Sequence, residues 1–146
     1  MASYDEIASG QEHFVYLDPS SDRVIKITRN CAYGLSGYAH EYLNYLLLSN
    51  EIFHDDIRVE GVVQINDVDH DELFAAIVIS QPFIQGERPT EEEITIWFQK
   101  YNYVAVGKHD FTNREEGIHA TDAHTGNLIK VESGELVPID VLLERI

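Results

Sequence analysis

The chain has 146 residues, of which 44% are hydrophobic and 25% charged, and this balance is typical of one globular domain with a packed core rather than of a disordered or fibrous chain. Its 26 acidic and 10 basic residues give a formal net charge of -16, which repels the phosphates of nucleic acids and of anionic membranes. A nucleic-acid partner is therefore not expected.

The first half of the chain predicts a hairpin followed by a helix. Apolar runs over residues 13–17 and 23–28 are separated by Asp-Pro-Ser-Ser-Asp, a cluster of turn-forming residues. After a glycine-containing connection, residues 38–49 are rich in Leu and Tyr and contain no helix breaker. Because Tyr38, Tyr42 and later residues recur there at helical spacing, we expect a helix whose aromatic side chains lie in the core.

The middle of the chain predicts a second antiparallel pair, an interruption and a second helix. Strand-like runs over residues 59–68 and 73–80 flank an acidic turn. The stretch 81–86, Gln-Pro-Phe-Ile-Gln-Gly, then breaks the pattern and is the plausible internal boundary. Thr90 with Glu93 three residues later is a capping-box signature, and the apolar and aromatic residues that follow, up to the tyrosine at position 101, share one helical face.

The last part of the chain predicts a hairpin that brings polar side chains together. The runs 128–131 and 136–139 bracket Glu-Ser-Gly-Glu, a turn of hairpin length and composition. Asn127 precedes the first strand and Asp140 follows the second, so we expect these two residues to lie close together. Their oxygens suit Mg²⁺, which takes few protein ligands and completes its shell with water and phosphate oxygens. Asp122, just before them, is placed to orient a hydroxyl nucleophile.

Cysteine content and hydropathy indicate the cellular compartment in which the protein is expected. The single cysteine, Cys31, cannot form an internal disulfide. No apolar stretch approaches the roughly 20 residues of a membrane span, and the first residues lack the basic start and apolar run of a signal peptide. The sequence therefore predicts a cytoplasmic protein without a membrane partner.

The pattern Asp-x-His-x-x-Asn is formed by Asp122, His124 and Asn127, and Asp140 ends the hairpin after Ile139. This arrangement resembles the catalytic-loop Asp and Asn and the metal-binding Asp of the protein-kinase-like superfamily. More narrowly, the chain resembles the kinase domains of polyvalent proteins of phages and other mobile elements. The resemblance implies phosphoryl transfer from ATP, with Asn127 and Asp140 as Mg²⁺ ligands, Asp122 as the catalytic residue and His124 as the side chain that orients it.

The first half supplies the other residues that this superfamily needs. Lys26, in a Val-Ile-Lys-Ile strand, resembles the lysine that contacts the nucleotide phosphates, and Glu41 resembles the helix glutamate that holds this lysine in place. Gly10 is expected where the nucleotide-covering loop turns. Gln81 and Phe83 are expected where the adenine binds.

The resemblance also implies an architecture. It predicts an α+β fold, in which residues 1–146 form one minimal protein-kinase-like domain. Residues 1–80 would be an N-lobe with an antiparallel sheet and one helix, and residues 81–86 a hinge. Residues 87–146 would be a truncated, mainly helical C-lobe that carries the catalytic hairpin.

Two alternatives stay open beside a phosphotransferase with an unknown small-molecule or protein acceptor. Residue 120 is Ala where protein kinases have the His of His-Arg-Asp, the nucleotide loop has one glycine, and the chain stops six residues after Asp140, without helices for peptide substrates. These departures suit a kinase-like module that binds nucleotide or protein without turnover. His119, Asp122 and His124 also allow a zinc or manganese site like that of metallophosphoesterases.

Overall fold

The computed structural model describes residues 5–9, 13–29, 38–67 and 72–146, with the backbone alone at 5–9, 67 and 72. The described elements are, in chain order, β1 Asp5–Ser9, β2 His13–Asp18, β3 Arg23–Thr28, α1 Ala39–Phe53, β4 Arg58–Asp67, β5 Glu72–Pro82, α2 Glu91–Lys100, β6 Val104–Ala105, β7 Phe111–Asn113, β8 Ile118–Thr121, β9 Leu128–Lys130, β10 Leu136–Pro138 and β11 Leu142–Arg145. The predicted α+β class, with antiparallel sheets, is confirmed. Gly10 and Cys31 lie outside the described residues.

The chain divides into two compact units, residues 1–50 with 56–83 and residues 51–55 with 84–146. The division after residue 83 falls in the stretch 81–86. Gln81 and Pro82 are the last two residues of β5, so the regular strand continues into this stretch. Its function as a hinge stays a prediction.

The first unit is built on a five-stranded antiparallel sheet in the order β1-β2-β3-β5-β4. β2 and β3 pair along their whole length, and Asp18 closes their turn by accepting hydrogen bonds from the hydroxyls of Ser20 and Ser21 at 2.7 and 2.6 Å. β4 and β5 pair from end to end, with a bulge between Val59 and Gly61. Both hairpins predicted in this half are confirmed.

Helix α1 packs its apolar side on one face of this sheet. Tyr42 of the helix and Ile77 and Ile79 of β5 form a buried cluster, because the paired strand and the helical stripe both place large apolar side chains on that face. The predicted helix is confirmed and continues to Phe53. Tyr42 is in the core, as expected, but Tyr38 is 62% exposed because it precedes the first helical residue.

Helix α2 begins at the predicted capping box. The Thr90 hydroxyl accepts a hydrogen bond from the Glu93 N–H at 3.1 Å, and the Glu93 carboxylate accepts one from the Thr90 N–H, also at 3.1 Å. Ile94 and Phe98 are buried. Tyr101, expected on the same buried face, is 45% exposed because it is the C-cap residue, one position past the last helical turn. Neither described helix is long and apolar enough to cross a membrane.

Residues 84–146 contain one helix and six short strands, so the prediction of a mainly helical C-lobe is wrong. The strands β11-β8-β7-β6 form an antiparallel sheet, and β9 and β10 form the predicted hairpin. Along β7 and β8 burial alternates, with Phe111, Asn113, Ile118 and Ala120 turned inward. A period of two over runs of three or four residues buries one face of a strand and cannot form a helical stripe.

The core of the second unit is aromatic at its centre. Phe98 of α2 stacks on Phe111 of β7, with ring centroids 4.2 Å apart and planes 8° from parallel. Tyr103 meets the Phe98 ring edge-on at 5.2 Å. The other large, fully buried side chains of this unit are aliphatic: Ile94, Ile118, Leu128 and Leu143. This packing fixes β8 and β9, the two strands that flank residues 122–127.

Candidate functional site

Residues 122–127 connect β8 to β9 and carry three of the predicted site residues. Ala123 is 1% exposed, and its N–H donates a hydrogen bond to the carbonyl of His109 at 3.0 Å. The Asn127 N–H donates to the carbonyl of His124 at 2.9 Å, closing a turn over Thr125 and Gly126. The connection is thus held at both ends by backbone hydrogen bonds.

Asp122 has a backbone φ of 58°, in the left-handed region. Asp is among the non-glycine residues that adopt this conformation most readily, yet it still costs on the order of 1–3 kcal/mol and is common at functional sites. The Asp122 side chain is 46% exposed. The conformation therefore presents a carboxylate to solvent at the end of a buried strand.

Asn127 is bonded directly to Asp122. Its Nδ2 donates hydrogen bonds to the Asp122 main-chain carbonyl at 2.7 Å and to Asp122 Oδ2 at 3.1 Å. Both partners are acceptors, so the amide nitrogen must be on the Asp122 side and the amide oxygen Oδ1 is directed away from it. Asn127 is 8% exposed. The spacing seen in the sequence therefore corresponds to a real contact.

Asp140 lies next to Asn127 across the hairpin, as predicted. The main-chain carbonyl of Asn127 accepts hydrogen bonds from the N–H groups of Ile139 and Asp140 at 2.9 and 3.3 Å. Asp140 is exposed. An amide oxygen and a carboxylate at adjoining positions are hard donors that fit Mg²⁺, since this ion completes its octahedron with water and phosphate oxygens.

In the first unit, Lys26 is a buried residue of β3, 8% exposed, and pairs with Ile79 of β5. Directly paired residues point to the same face of a sheet, so Lys26 shares the face on which α1 packs against Ile79. Glu41 lies in the first turn of that helix. The ion pair between Lys26 and Glu41 stays a prediction.

The residues predicted to contact adenine lie at the end of β5. Gln81 is buried and pairs with Val24, which places its side chain on the same sheet face as Lys26. Phe83 is 37% exposed, and its N–H donates a hydrogen bond to the carbonyl of Asp22 at 3.0 Å. The predicted role of these residues in adenine binding is not tested by this geometry.

A comparison with protein families decides the classification. The model of a family described as Serine/Threonine/Tyrosine Kinase found in polyvalent proteins matches residues 1–144. The chain belongs to this kinase family of polyvalent proteins. The match includes both the Lys26 strand and the segment from Asp122 to Asp140, so the resemblance inferred from those motifs is confirmed. A search of curated proteins found no match.

His124 is hydrogen-bonded in a way that defines the tautomer of its neutral ring. Its Nδ1 lies 3.0 Å from the Gly126 N–H and accepts a hydrogen bond from it, so the proton of the neutral ring must be on Nε2. Nε2 is 3.6 Å from Asp122 Oδ1. A side-chain carbon at Gly126 would approach His124 Cε1 to 2.9 Å, so this glycine leaves room for the ring. The role of His124 in orienting Asp122 stays a prediction.

The alternative metal site is not supported. His119 is on β8, where its Nδ1 is 2.9 Å from the Thr112 hydroxyl, and its strand register pairs it with Thr112 and Glu144. Within the part of the chain that the structure describes, no group of three or more His, Cys, Asp or Glu side chains could hold a metal ion. A zinc or manganese site built on His119, Asp122 and His124 therefore lacks its ligand set.

Sequence reasoning missed His109. Its carbonyl anchors Ala123, its Nε2 lies 3.0 Å from Glu91 Oε1, and its ring meets that of His124 edge-on at 5.9 Å. The hydrogen bond from His109 holds the pKa of the Glu91 carboxyl below its ordinary value. These contacts tie the first turn of α2 to residues 122–127, and no local pattern around His109 indicates them.

A cation near this loop was also missed. An Arg88 guanidinium nitrogen lies 3.7 Å from the point that a side-chain carbon at Gly126 would occupy. Arg88 is exposed, and its isolated position in the sequence, without a recognisable motif, gave no reason to assign it to the site.

Proposed function

We propose that this chain transfers the γ-phosphoryl group of ATP to a hydroxyl acceptor with the help of Mg²⁺. The proposal rests chiefly on one observation. Asp122, whose carboxylate is exposed, is hydrogen-bonded to Asn127, and Asn127 adjoins Asp140 across the hairpin. Membership of the kinase family of polyvalent proteins supports the same reaction class.

Asp122 is the residue proposed to receive the acceptor proton. In the reaction the acceptor oxygen forms a bond to the γ-phosphorus, the bond from that phosphorus to the β–γ bridging oxygen breaks, and ADP leaves. The hydroxyl proton passes to the Asp122 carboxylate. The hydrogen bond from Asn127 Nδ2 to Asp122 Oδ2 at 3.1 Å would restrict the rotation of the carboxylate, and both carboxylate oxygens keep lone pairs for the hydroxyl. Positioning supplies most of the catalysis in reactions of this kind.

Asn127 Oδ1 and the Asp140 carboxylate are the proposed Mg²⁺ ligands. When bound, the ion would neutralise part of the negative charge of the phosphates. The two residues are held in neighbouring positions by the bonds from the Ile139 and Asp140 N–H groups to the Asn127 carbonyl. Their placement therefore does not depend on the ion.

The nucleotide is proposed to bind through Lys26, held by Glu41, and through the end of β5. Lys26 would contact the phosphates, and the segment from Gln81 to Ile84 would lie against the adenine. Gly10 would turn the loop over the nucleotide. The acceptor would be a small molecule or a protein, and the lone Cys31 and the use of ATP suit a cytoplasmic enzyme.

A phosphotransfer assay with γ-labelled ATP, Mg²⁺ and panels of small-molecule and protein acceptors tests the proposal. Asp122→Asn should lower transfer by about 10²–10⁴-fold, the range for loss of a positioned acid–base group. ATP with Mg²⁺ should raise the thermal stability of the wild type, by about 2.7 kcal/mol at a hundred times Kd. Asp122→Asn should keep this stabilisation, whereas Lys26→Ala and Asp140→Asn should lose it.

The matched control is Glu115→Gln, which neutralises an exposed acidic residue in the turn between β7 and β8. It should leave both transfer and ATP-dependent stabilisation unchanged. Transfer that persists undiminished in Asp122→Asn would show that another protein or another residue is responsible. Stabilisation by ATP that requires Lys26 and Asp140, without any transfer or hydrolysis, would instead identify a nucleotide-binding module without turnover.

A further inference from the structure

A pocket of about 360 Å³ lies in the second unit, away from residues 122–127. Its walls are largely aromatic and aliphatic, and a single carboxylate stands among them. The lining residues are Ile52, Phe53, His54, Trp97, Tyr101, Tyr103, Glu135, Leu136, Val137 and Pro138. The size is at the lower end of the range for pockets that bind small organic groups. None of these residues has a part in the proposed phosphoryl transfer.

The carboxylate of Glu135 is held in place by the aromatic wall. Its Oε1 accepts hydrogen bonds from the indole N–H of Trp97 at 2.8 Å and from the Tyr101 hydroxyl at 3.2 Å. The Trp97 hydrogen bond, with help from Lys100 and Tyr101, holds the pKa of Glu135 below its ordinary value. The pocket therefore carries a fixed negative charge at neutral pH.

Three aromatic rings lie close together in the lining of this pocket. Trp97 packs edge-on against Tyr101, with centroids 5.1 Å apart, and Phe53 lies 6.0 Å from Trp97. The faces of aromatic rings attract cations, and the attraction is stronger where the cation is desolvated. A ring wall with one oriented carboxylate therefore favours an organic cation over a neutral or anionic group.

A cation of the chain itself already lies at the rim. Lys100 Nζ is 3.5 Å from Glu135 Oε2 and 5.4 Å from the centroid of the Tyr101 ring. The Lys100 side chain is 61% exposed, and surface ion pairs of this kind contribute little to stability. The carboxylate and the aromatic ring thus already bind a cation, and a cation that fits the pocket better can displace the lysine.

We propose that this pocket binds an arginine side chain of a partner protein. The planar guanidinium can stack on Trp97 or Tyr101 while donating hydrogen bonds to Glu135 Oε2, a combination that an ammonium cannot make. The aliphatic part of the arginine side chain would lie along Leu136 and Pro138. The net charge of -16 would favour encounters with a basic partner.

The fluorescence of Trp97, the one tryptophan of the sequence, reports directly on the pocket. Titration with acetyl-Gly-Arg-Gly-amide should give a saturable change in the millimolar range. The same peptide with citrulline, which has nearly the same shape without the charge, should bind at least about ten-fold more weakly. Methylguanidine should bind at least about four-fold more weakly than the arginine peptide, because it lacks the methylenes that the pocket would bury.

Two variants should change the affinity in opposite directions. Glu135→Gln should weaken binding of the arginine peptide about ten-fold, and Lys100→Gln should strengthen it because the competing ammonium is gone. Two control variants make the same changes in net charge and should have no effect on the affinity. They are Glu132→Gln, in the exposed turn of the same hairpin, and Lys108→Gln, in another exposed loop. Circular dichroism confirms that each variant is folded.

Three results would overturn the proposal. Equal binding of the citrulline peptide would make the contact apolar rather than cationic. Equal weakening by Glu132→Gln and Glu135→Gln would reduce it to attraction by overall charge, and equal binding of methylguanidine would point to a free small cation instead of a partner protein. The fluorescence of Trp97 is measured in the absence of nucleotide. A negative result in this titration therefore leaves the phosphotransfer proposal intact, and a negative phosphotransfer assay leaves the proposed arginine binding intact.

Discussion

The two units of the molecule are stabilised by different kinds of backbone hydrogen bonding. In the first, ladders that run the whole length of β2, β3, β4 and β5 make a continuous sheet, and one helix covers a face of it. In the second, the strands have only two to four residues, and individual hydrogen bonds, such as that from the Ala123 N–H to the His109 carbonyl, hold the connections between them. Regular periodicity therefore shapes the first unit, and a few specific contacts shape the second.

The difference bears on function because Asp122, Asn127 and Asp140 lie in the irregular unit. A long ladder has few ways to place a side chain off its regular alternation. Short strands with tight connections can hold a residue such as Asp122 in the left-handed region and aim a carboxylate outward. Each connection then depends on a few contacts, so we expect the removal of one of these contacts to lower the free energy of unfolding strongly.

The largest test of this contrast removes the stacked ring at the centre of the second unit. Phe98→Ala deletes a fully buried side chain that stacks on Phe111 at 4.2 Å. We expect a loss of about 3–5 kcal/mol in the free energy of unfolding, from lost burial and the cavity left behind. Urea denaturation followed by the fluorescence of Trp97, whose ring is 5.0 Å from Phe98, measures it.

The matched control on the same helix is Ile96→Ala. Ile96 is 58% exposed, so its truncation should change stability by less than about 0.5 kcal/mol. A loss of under about 1.5 kcal/mol for Phe98→Ala would mean that the aromatic stack is not the centre of this unit's core. The contrast drawn between the two units would then fail.

The sequence alone predicted most of the first unit because its signals are local. Apolar runs bounded by turn residues gave β2 with β3 and β4 with β5. In the second unit, the pair Thr90 and Glu93 gave the start of α2, and this signal is also local. The positions of Tyr38 and Tyr101 were wrong because helical spacing does not show where a helix ends. The proximity of Asn127 and Asp140 was predictable because the two residues flank a hairpin, and the role of Asp122, Asn127 and Asp140 in phosphoryl transfer stays a prediction.

The sheet β11-β8-β7-β6 was not predicted, and for a physical reason. Its strands are too short to give a period, and β8 owes its register to β11, where Ala120 pairs with Leu143. The same applies to His109, whose carbonyl bonds a residue fourteen positions later, Ala123. Partners of this kind are chosen by tertiary packing, so no window of the sequence contains the information.

A smaller loss of stability is expected from a substitution at Gly86, where one segment of the backbone passes close to another. Gly86 lies against β9, where an added side-chain carbon would contact the carbonyl oxygen of Lys130 and come within 2.6 Å of Ile129 Cγ2. It precedes Glu87, whose N–H and carbonyl bond Lys130 at 2.9 and 2.8 Å. Gly86→Ala must therefore displace this bridge, and we expect a loss of about 1–3 kcal/mol, measured by urea denaturation.

Gly107→Ala is the control for the same chemical change. An added carbon there would meet Asp110 Oδ2 at 3.1 Å, the end of a side chain that can rotate away, so we expect a change within about 0.5 kcal/mol. If Gly86→Ala were as mild as Gly107→Ala, the bridge between Glu87 and Lys130 would not be one of the contacts that fix the second unit.

The smallest expected effect concerns the ion pair that joins α2 to β9. Lys130 Nζ contacts Glu93 Oε2 at 2.6 Å, with side chains 36% and 33% exposed. The Lys130 hydrogen bond, and then the Thr90 N–H, lower the pKa of Glu93, and Glu93 in turn raises the pKa of Lys130. Both directions mean that the pair stabilises the folded chain only while both groups are charged.

The sign of the pH dependence follows from these directions. The Glu93 contribution is complete above the ordinary glutamate pKa of about 4.3 and is lost as pH falls through the lowered value. The Lys130 contribution is complete below about 10.4 and is lost as pH rises through the raised value. The stability difference between the wild type and Glu93→Gln should thus be constant around neutrality and shrink at both extremes. Glu92→Gln changes an exposed neighbour in the same first turn and controls for the interaction with the helix dipole. If the stability difference from the wild type had the same pH dependence in both variants, the effect would be due to the dipole and not to Lys130.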